Sequence, residues 1–188
     1  RERLVVAANR LIHVPPQVNA VDAACTTVTF GTVQHMLFDN AKLEAGETIL
    51  VHAGGSGIGT AAIKMAKAIG ATVIGTVGSD EKAALAKANG CDHAIVYTRE
   101  DFVARVKEIT DGKGVPVVYD SVGKDTFMKS LDCLSPLGLM VIFGNSSGNA
   151  PDLPTGMLAA KGSLFVTRPT LMPYMAKRGD LVKSADDL

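Results

Sequence analysis

The sequence predicts an α/β fold: one doubly wound parallel sheet of about six strands with helices on both faces. Three observations predict it. Short apolar runs alternate with amphipathic helical patterns along most of the chain, and such βα alternation builds a parallel sheet covered by helices. The runs are apolar throughout rather than at every second residue, as strands buried on both faces are. And 188 residues, 47% of them hydrophobic, suffice for one large domain with a sizeable core.

The elements follow in order. Residues 5–16 read as extended and 21–40 as helical, with several Thr inside the pattern; residues 1–19 are expected to be a connector. Residues 48–52 form the first apolar run, which ends at a glycine cluster. Apolar residues then recur at Ile58, Ala61, Ala62, Met65, Ala66 and Ile69, the spacing of one buried helix face, and Gly70 stops the helix. A second strand covers 72–77. Ser79 caps a helix with Asp80 and Glu81 in its first turn, ending at Gly90. Strands at 93–97, 115–120, 139–143 and 163–167 alternate with helices at 101–109 and 125–133.

Composition bounds the function. The 19 basic and 19 acidic residues cancel, which argues against a protein that mainly neutralises nucleic-acid phosphates or anionic lipid, while leaving room for a local anion site. Cys25, Cys91 and Cys133 have neither redox nor metal-ligand spacing, so they read as reduced thiols of a cytoplasmic protein. His13, His35, His52 and His93 are equally scattered, and no metal site is expected. The uncharged stretch 133–151 is broken by Pro, Asn, Ser and Gly and would make a poor membrane helix. No signal peptide opens the chain, and a start at Arg1 reads as a piece of a longer protein.

The most informative segment is His52-Ala53-Gly54-Gly55-Ser56-Gly57-Ile58-Gly59, which joins the first strand to the first amphipathic helix. A backbone without Cβ atoms turns tightly there, and the helix N-terminus offers free N–H groups to a pyrophosphate. Gly54 and Gly59 match the G-x-G-x-x-G template, with Ser56 in the middle place. Alone the cluster is an ordinary tight turn; at a strand–helix junction in a βαβ series it points to a dinucleotide. An NAD site usually carries an acid about 20 residues on, at the end of the second strand. Val77-Gly78-Ser79 fills that place, and Lys82 lies one turn into the next helix, where its ammonium meets a 2′-phosphate unless it is a plain solvated lysine. Asp80 and Glu81 would oppose a phosphate if they pointed inward and read better as first-turn helix acids. NADP(H) is the expected cofactor.

Further stretches appear in a recognisable order: Gly75-Thr76-Val77-Gly78-Ser79, Val118-Tyr119-Asp120-Ser121-Val122-Gly123, Phe143-Gly144-Asn145-Ser146-Ser147-Gly148, Lys161-Gly162-Ser163-Leu164 and Thr167-Arg168-Pro169. With the glycine turn they resemble, over residues 15–168, the Rossmann-like cofactor domain of the quinone oxidoreductases, in the zinc-free branch of the medium-chain dehydrogenase/reductase superfamily. The resemblance implies that Ser56, Gly57 and Ile58 present N–H groups to the pyrophosphate. Gly78 and Lys82 would hold the 2′-phosphate, with Tyr97 at the adenosine end. Ser121 and Val122 would border the cofactor, Phe143, Gly144, Asn145 and Ser146 would line its nicotinamide half, Arg168 would close the far side, and Thr32 would lie near the nicotinamide. Taken bare, Tyr97 is also a strand-end aromatic, Phe143 a core residue and residues 145–148 a polar turn.

The resemblance further implies hydride transfer from NADPH to a quinone or another activated double bond, in a zinc-independent enzyme. Residues 20–188 would be the dinucleotide-binding domain, with an N-terminal catalytic domain and a C-terminal return segment missing, so no catalytic residue is assigned and this piece is expected to turn over little. An enoyl or enone reductase shares the same features. A non-catalytic dinucleotide-binding or RNA-binding module is the reading from another class, disfavoured by neutral charge and the lack of a basic, aromatic-interleaved stripe. No nucleic acid or membrane partner is expected. Family members pair through the edge of this sheet, and residues 163–167 are apolar enough to be that edge in a homodimer.

Overall fold

The computed structural model describes residues 4–188; the first three residues of the expected connector lie outside them. From there to Asn19 the chain has no strand or α-helix, only a 3-10 turn at Ala8–Arg10. Helix α1 (Ala20–Gln34) starts where the Asn19 side chain accepts the N–H groups of Val21 and Asp22 at 3.0 and 2.9 Å. The single helix predicted to residue 40 instead widens into a π-helical turn over His35–Asn40. Asn40 accounts for the change. Its side-chain amide donates to the His35 carbonyl at 2.7 Å, and its Oδ1 is held by the Tyr174 hydroxyl at 3.0 Å.

The remaining elements are β1 (Thr48–Val51), α2 (Gly57–Ile69), β2 (Thr72–Val77), α3 (Asp80–Ala88), β3 (His93–Val96), α4 (Phe102–Ile109), β4 (Val115–Asp120), α5 (Phe127–Asp132), β5 (Leu134–Ile142), α6 (Thr155–Ala160), β6 (Phe165–Thr167), α7 (Leu171–Tyr174) and α8 (Arg178–Asp186). The expected sheet is there: six strands in the order β3-β2-β1-β4-β5-β6, every neighbouring pair parallel. Alternate strand residues serve two cores. Ile49, Val51, Val73 and Tyr119 face α1, α2 and α3, while Leu50, Ile74, Val118 and Met140 face α4, α5 and α6.

Boundaries moved where local backbone intervened. β5 begins well before the predicted residue 139, because Leu134 pairs with Val115 and the pairing resumes at Leu139–Val117 around a bulge that holds Pro136 and Leu137, the latter at φ +63°. β6 begins at Phe165, not at residue 163, since Gly162 and Ser163 both have positive φ and form a turn. The short helices α6 and α7 gave no periodic signal in sequence.

Candidate functional site

The chain crosses from one half of the sheet to the other between β1 and β4, and a crevice opens beyond the carboxyl ends of strands at such a switch point. A cleft of about 540 Å³ lies there. Its floor is the glycine turn. Ala53 sits in the left-handed region at φ +55°, and Gly54 N–H is fixed to the Thr76 carbonyl at 2.9 Å. Ser56 caps α2 by accepting Gly59 N–H at 3.0 Å. Gly59 is obligatory for close packing, because a Cβ there would collide with the Ala53 carbonyl. Gly55 leaves room for the Lys82 stem: a Cβ on it would lie 3.0 Å from Lys82 Cβ.

Of the sequence-predicted residues, Ser56, Gly78, Lys82, Tyr97, Val122 and Ser146 line this cleft. At its outer corner the Tyr97 hydroxyl lies over Gly78, and Lys82 forms no ion pair among the described residues. Gly57 and Ile58 form the first turn of α2 and do not line the cleft, Ile58 packing on the core beneath it. Phe143 packs on that core too. Ser121 and Gly144 meet each other: the Ser121 carbonyl accepts Ser146 N–H at 3.2 Å, and a Cβ on Gly144 would strike it. Asn145 donates to Asn149 at 3.1 Å, and Arg168 donates to the Gly144 carbonyl at 3.2 Å. Thr32 stands apart, in a small crevice beside Met36 and Pro169.

Sequence reasoning missed the polar network under the cleft. The Asp120 carboxylate is fully buried and takes four donors: Val122 N–H (2.7 Å) and Gly123 N–H (3.0 Å) on Oδ1, and the Thr126 (2.7 Å) and Ser130 (3.2 Å) hydroxyls on Oδ2. Four is the full capacity of a carboxylate. Ser130 Oγ lies 2.9 Å from His52 Nε2, and Thr76 Oγ1 2.9 Å from His52 Nδ1. A neutral imidazole closes this chain: Thr76 O–H donates to Nδ1, Nε2–H to Ser130, and Ser130 to Asp120. Burial pushes the His52 pKa below its ordinary value, with Asp120 opposing. His52, Thr76 and Thr126 also line the cleft, as do Asp125 and Lys129 at the start of α5. Their one signal in sequence is a place at, or just past, a strand end.

The structure assembles two groupings of Ser, His and Asp. In the first, Ser130 stands between His52 and Asp120 and is wholly buried, so no base is free to activate it. In the second, beside another cleft of about 540 Å³, His35 bonds Asp39 through Nδ1 and has Ser184 Oγ 3.4 Å from Nε2. There the Ser184 hydroxyl donates to Gln34 Oε1 at 2.6 Å, which takes its proton away from the histidine. Neither is a nucleophile–base pair.

Comparison with known proteins places this geometry. The zinc-binding dehydrogenase family model matches residues 57–176. A quinone oxidoreductase of Pseudomonas aeruginosa is 47% identical over 98% of this chain and 57% of its own length. A 2-haloacrylate reductase of a Burkholderia species is 44% identical over 96% of this chain and 55% of its own. The crystal structure of Escherichia coli quinone oxidoreductase complexed with NADPH superposes with a TM-score of 0.93 at 44% identity, covering 96% of this chain and 55% of that one. The chain thus spans just over half the length of these relatives. A zinc ion does not fit the residues in hand: among the described residues no three His, Cys, Asp or Glu side chains gather as a metal site.

Proposed function

The chain belongs to the zinc-binding dehydrogenase family, and from that premise we propose that it is the NADPH-binding domain of an oxidoreductase that reduces a quinone. The observation that carries the proposal is the cleft itself. A cap-and-glycine turn at the N-terminus of α2 fits a pyrophosphate, and the ammonium of Lys82, in no ion pair among the described residues, stands beside Gly78 and Tyr97, where a 2′-phosphate would lie. When bound, NADPH supplies the hydride; the protein supplies position and electrostatics. Ser56 holds the pyrophosphate from the cleft floor, and Gly57 and Ile58, which do not line the cleft, face it only with their backbone N–H groups in the first turn of α2. Val122 and Ser146 border the middle of the cofactor, with Ser121, Phe143, Gly144 and Asn145 behind them. Arg168 steadies the Gly144 carbonyl on the far side. The relatives' greater length supports a further domain that supplies the quinone pocket and the catalytic groups.

A second reading, reduction of an activated alkene, draws support from the 2-haloacrylate reductase. The exposed edge residue Phe165 of β6 supports pairing of two copies along that edge. A cytoplasmic setting is supported by Cys25, Cys91 and Cys133, all free thiols; among the described residues no helix is long and apolar enough to cross a membrane. The test is calorimetry of this chain with NADPH and NADH. NADPH is expected to bind more tightly, and Lys82→Ala to weaken it about tenfold, the worth of one charge-assisted contact, with little change for NADH. Equal affinities in the unmodified chain would overturn the NADP assignment.

A further inference from the structure

The corner that would receive the 2′-phosphate is ringed by carboxylates. Glu100 and Asp101 line the cleft there, and Asp80 stands between two lining residues, Gly78 and Lys82. Asp80 opens α3 directly after Val77-Gly78-Ser79, the segment that stands where NAD sites place the acid that holds the ribose 2′-hydroxyl, and does not itself line the cleft. An uncompensated carboxylate at that place repels a phosphate. In this chain each of the three is engaged. Glu100 Oε1 accepts Val96 N–H at 2.8 Å, and its Oε2 lies 3.4 Å from Arg105 Nε. Asp101 caps α4 by accepting Val103 N–H at 3.0 Å. Asp80 is gripped by both ends of one guanidinium, Arg99 Nη1 to Oδ2 at 2.8 Å and Nη2 to Oδ1 at 2.6 Å.

We propose that Arg99 is a specificity-determining residue: by holding Asp80 in a bidentate pair it leaves Lys82 as the uncompensated charge at the corner, and so selects NADPH over NADH. The inference rests on the dinucleotide reading above. Arg99 reaches across from the turn after β3, two residues beyond Tyr97, and fixes the carboxylate in the fork geometry that arginine offers and lysine does not. The pair is largely exposed, with side chains 57% and 76% accessible, and a pair so exposed adds little to stability. Its consequence is the direction in which a charge points. Without Arg99, Asp80 is a free acid beside the ribose, suited to a 2′-hydroxyl and hostile to a 2′-phosphate.

The experiment is calorimetric titration of NADPH and NADH into the unmodified chain, Arg99→Ala, Asp80→Asn/Arg99→Ala and Lys82→Ala, at low salt and at 1 M salt. Circular dichroism checks that each variant is folded. Arg99→Ala is expected to weaken NADPH roughly three-fold, the size of one exposed charge–charge effect, and to leave NADH unchanged or tighter. Adding Asp80→Asn restores NADPH affinity. At 1 M salt, where the screening length is about 3 Å, the difference fades. A purely structural clamp between the turns carrying Lys82 and Tyr97 would weaken both dinucleotides together and would not be rescued by Asp80→Asn; that result overturns the inference. An unchanged NADPH to NADH ratio in Arg99→Ala overturns it as well while leaving the cofactor reading intact. Indifference of NADPH binding to Lys82→Ala, or no binding of either dinucleotide by the unmodified chain, overturns the cofactor reading and the inference with it.

Discussion

His52, at the end of β1, and Ser130, on α5, lie 78 residues apart in the chain and 2.9 Å apart in space. Through that contact the first strand of the sheet is tied to the helix that follows β4, and Ser130 passes the connection to Asp120. Asp120 in turn gathers the backbone of Val122 and Gly123, so the turn bordering the cleft is shaped from beneath by a buried acid. Buried polar groups are costly unless all are paired, and this set is. The cleft wall is therefore built into the folded core, which gives the site the rigidity that binding a cofactor in one pose requires.

Removing the centre of that network is expected to be severe, and replacing it conservatively is not. Asp120→Ala strips the acceptor from two backbone N–H groups and two hydroxyls and should cost about 3 kcal/mol, since each stranded buried donor costs 1–3 kcal/mol and some will reach water. Asp120→Asn should cost only about 1 kcal/mol. Its carbonyl can keep Val122 and Gly123, while Thr126 and Ser130 turn their protons to the carbonyls of Gly123 and Thr126, already at 3.3 and 2.9 Å. Thermal denaturation of the two variants checks the difference, roughly 2–4 °C per kcal/mol for a chain of this size. Equal losses would mean that the hydroxyls cannot reorient.

The same network sets a pH dependence. His52 is buried and neutral in the fold, with its pKa pushed down from 6.5 by burial, while Asp120 opposes the shift. The unfolded chain binds a proton at His52 below pH 6.5 and the folded one resists it. The stability contributed is whole above pH 6.5 and is lost as pH falls from there toward the lowered folded value, by at most about 1.4 kcal/mol per pH unit. His52→Asn should flatten this one component of the slope between pH 6.5 and 5. Denaturant melts of both proteins at half-unit pH intervals measure it, and identical slopes would show that His52 takes up its proton as readily in the fold as in the unfolded chain.

Much of this was legible in the sequence because it is local. Strand and helix periods, the Ser56 and Ser79 caps and the place of Lys82 after the second strand depend on neighbours a few residues away. The sequence-based elements accordingly fall within a few residues of those observed. What escaped depends on meetings of distant segments. Ser130 and His52 carry no spacing that announces a pair. Thr32 lies beside Pro169 rather than in the cleft. The widening of α1 follows from Tyr174 holding Asn40, and the early start of β5 from a bulge around a proline. The close approach of Ser121 and Gly144, where a Cβ on the glycine would strike the Ser121 backbone, likewise joins two strand ends far apart in sequence.

Tyr119 is the counterexample to the satisfied network. Its ring is fully buried on the α1–α2 side of the sheet, and its hydroxyl has no partner among the described residues. Burial pushes the pKa of that hydroxyl far above its usual value. An orphaned hydroxyl in a core is a cost, so Tyr119→Phe should leave stability unchanged or raise it by up to about 1 kcal/mol. A urea melt measures the change. A loss beyond 1 kcal/mol would reveal a bound water that the hydroxyl holds.

Two neighbouring glycines separate packing from binding. Gly59→Ala places a Cβ against the Ala53 carbonyl and 2.9 Å from Gly54 Cα, so the turn must shift and α2 with it, at about 1–3 kcal/mol, the usual toll of overpacking. A Cβ at Gly57 meets nothing within 4 Å, and alanine favours the helix by up to about 1 kcal/mol. Gly57→Ala should therefore be as stable as the unmodified chain or more so. If a pyrophosphate seats on the first turn of α2, that same methyl intrudes on it, and NADPH affinity falls although the fold has gained. Melting temperature and calorimetric affinity measured together on both variants resolve the two roles: Gly59→Ala should lose both, Gly57→Ala affinity alone. Full affinity in Gly57→Ala would place the phosphate elsewhere than on the first turn of α2.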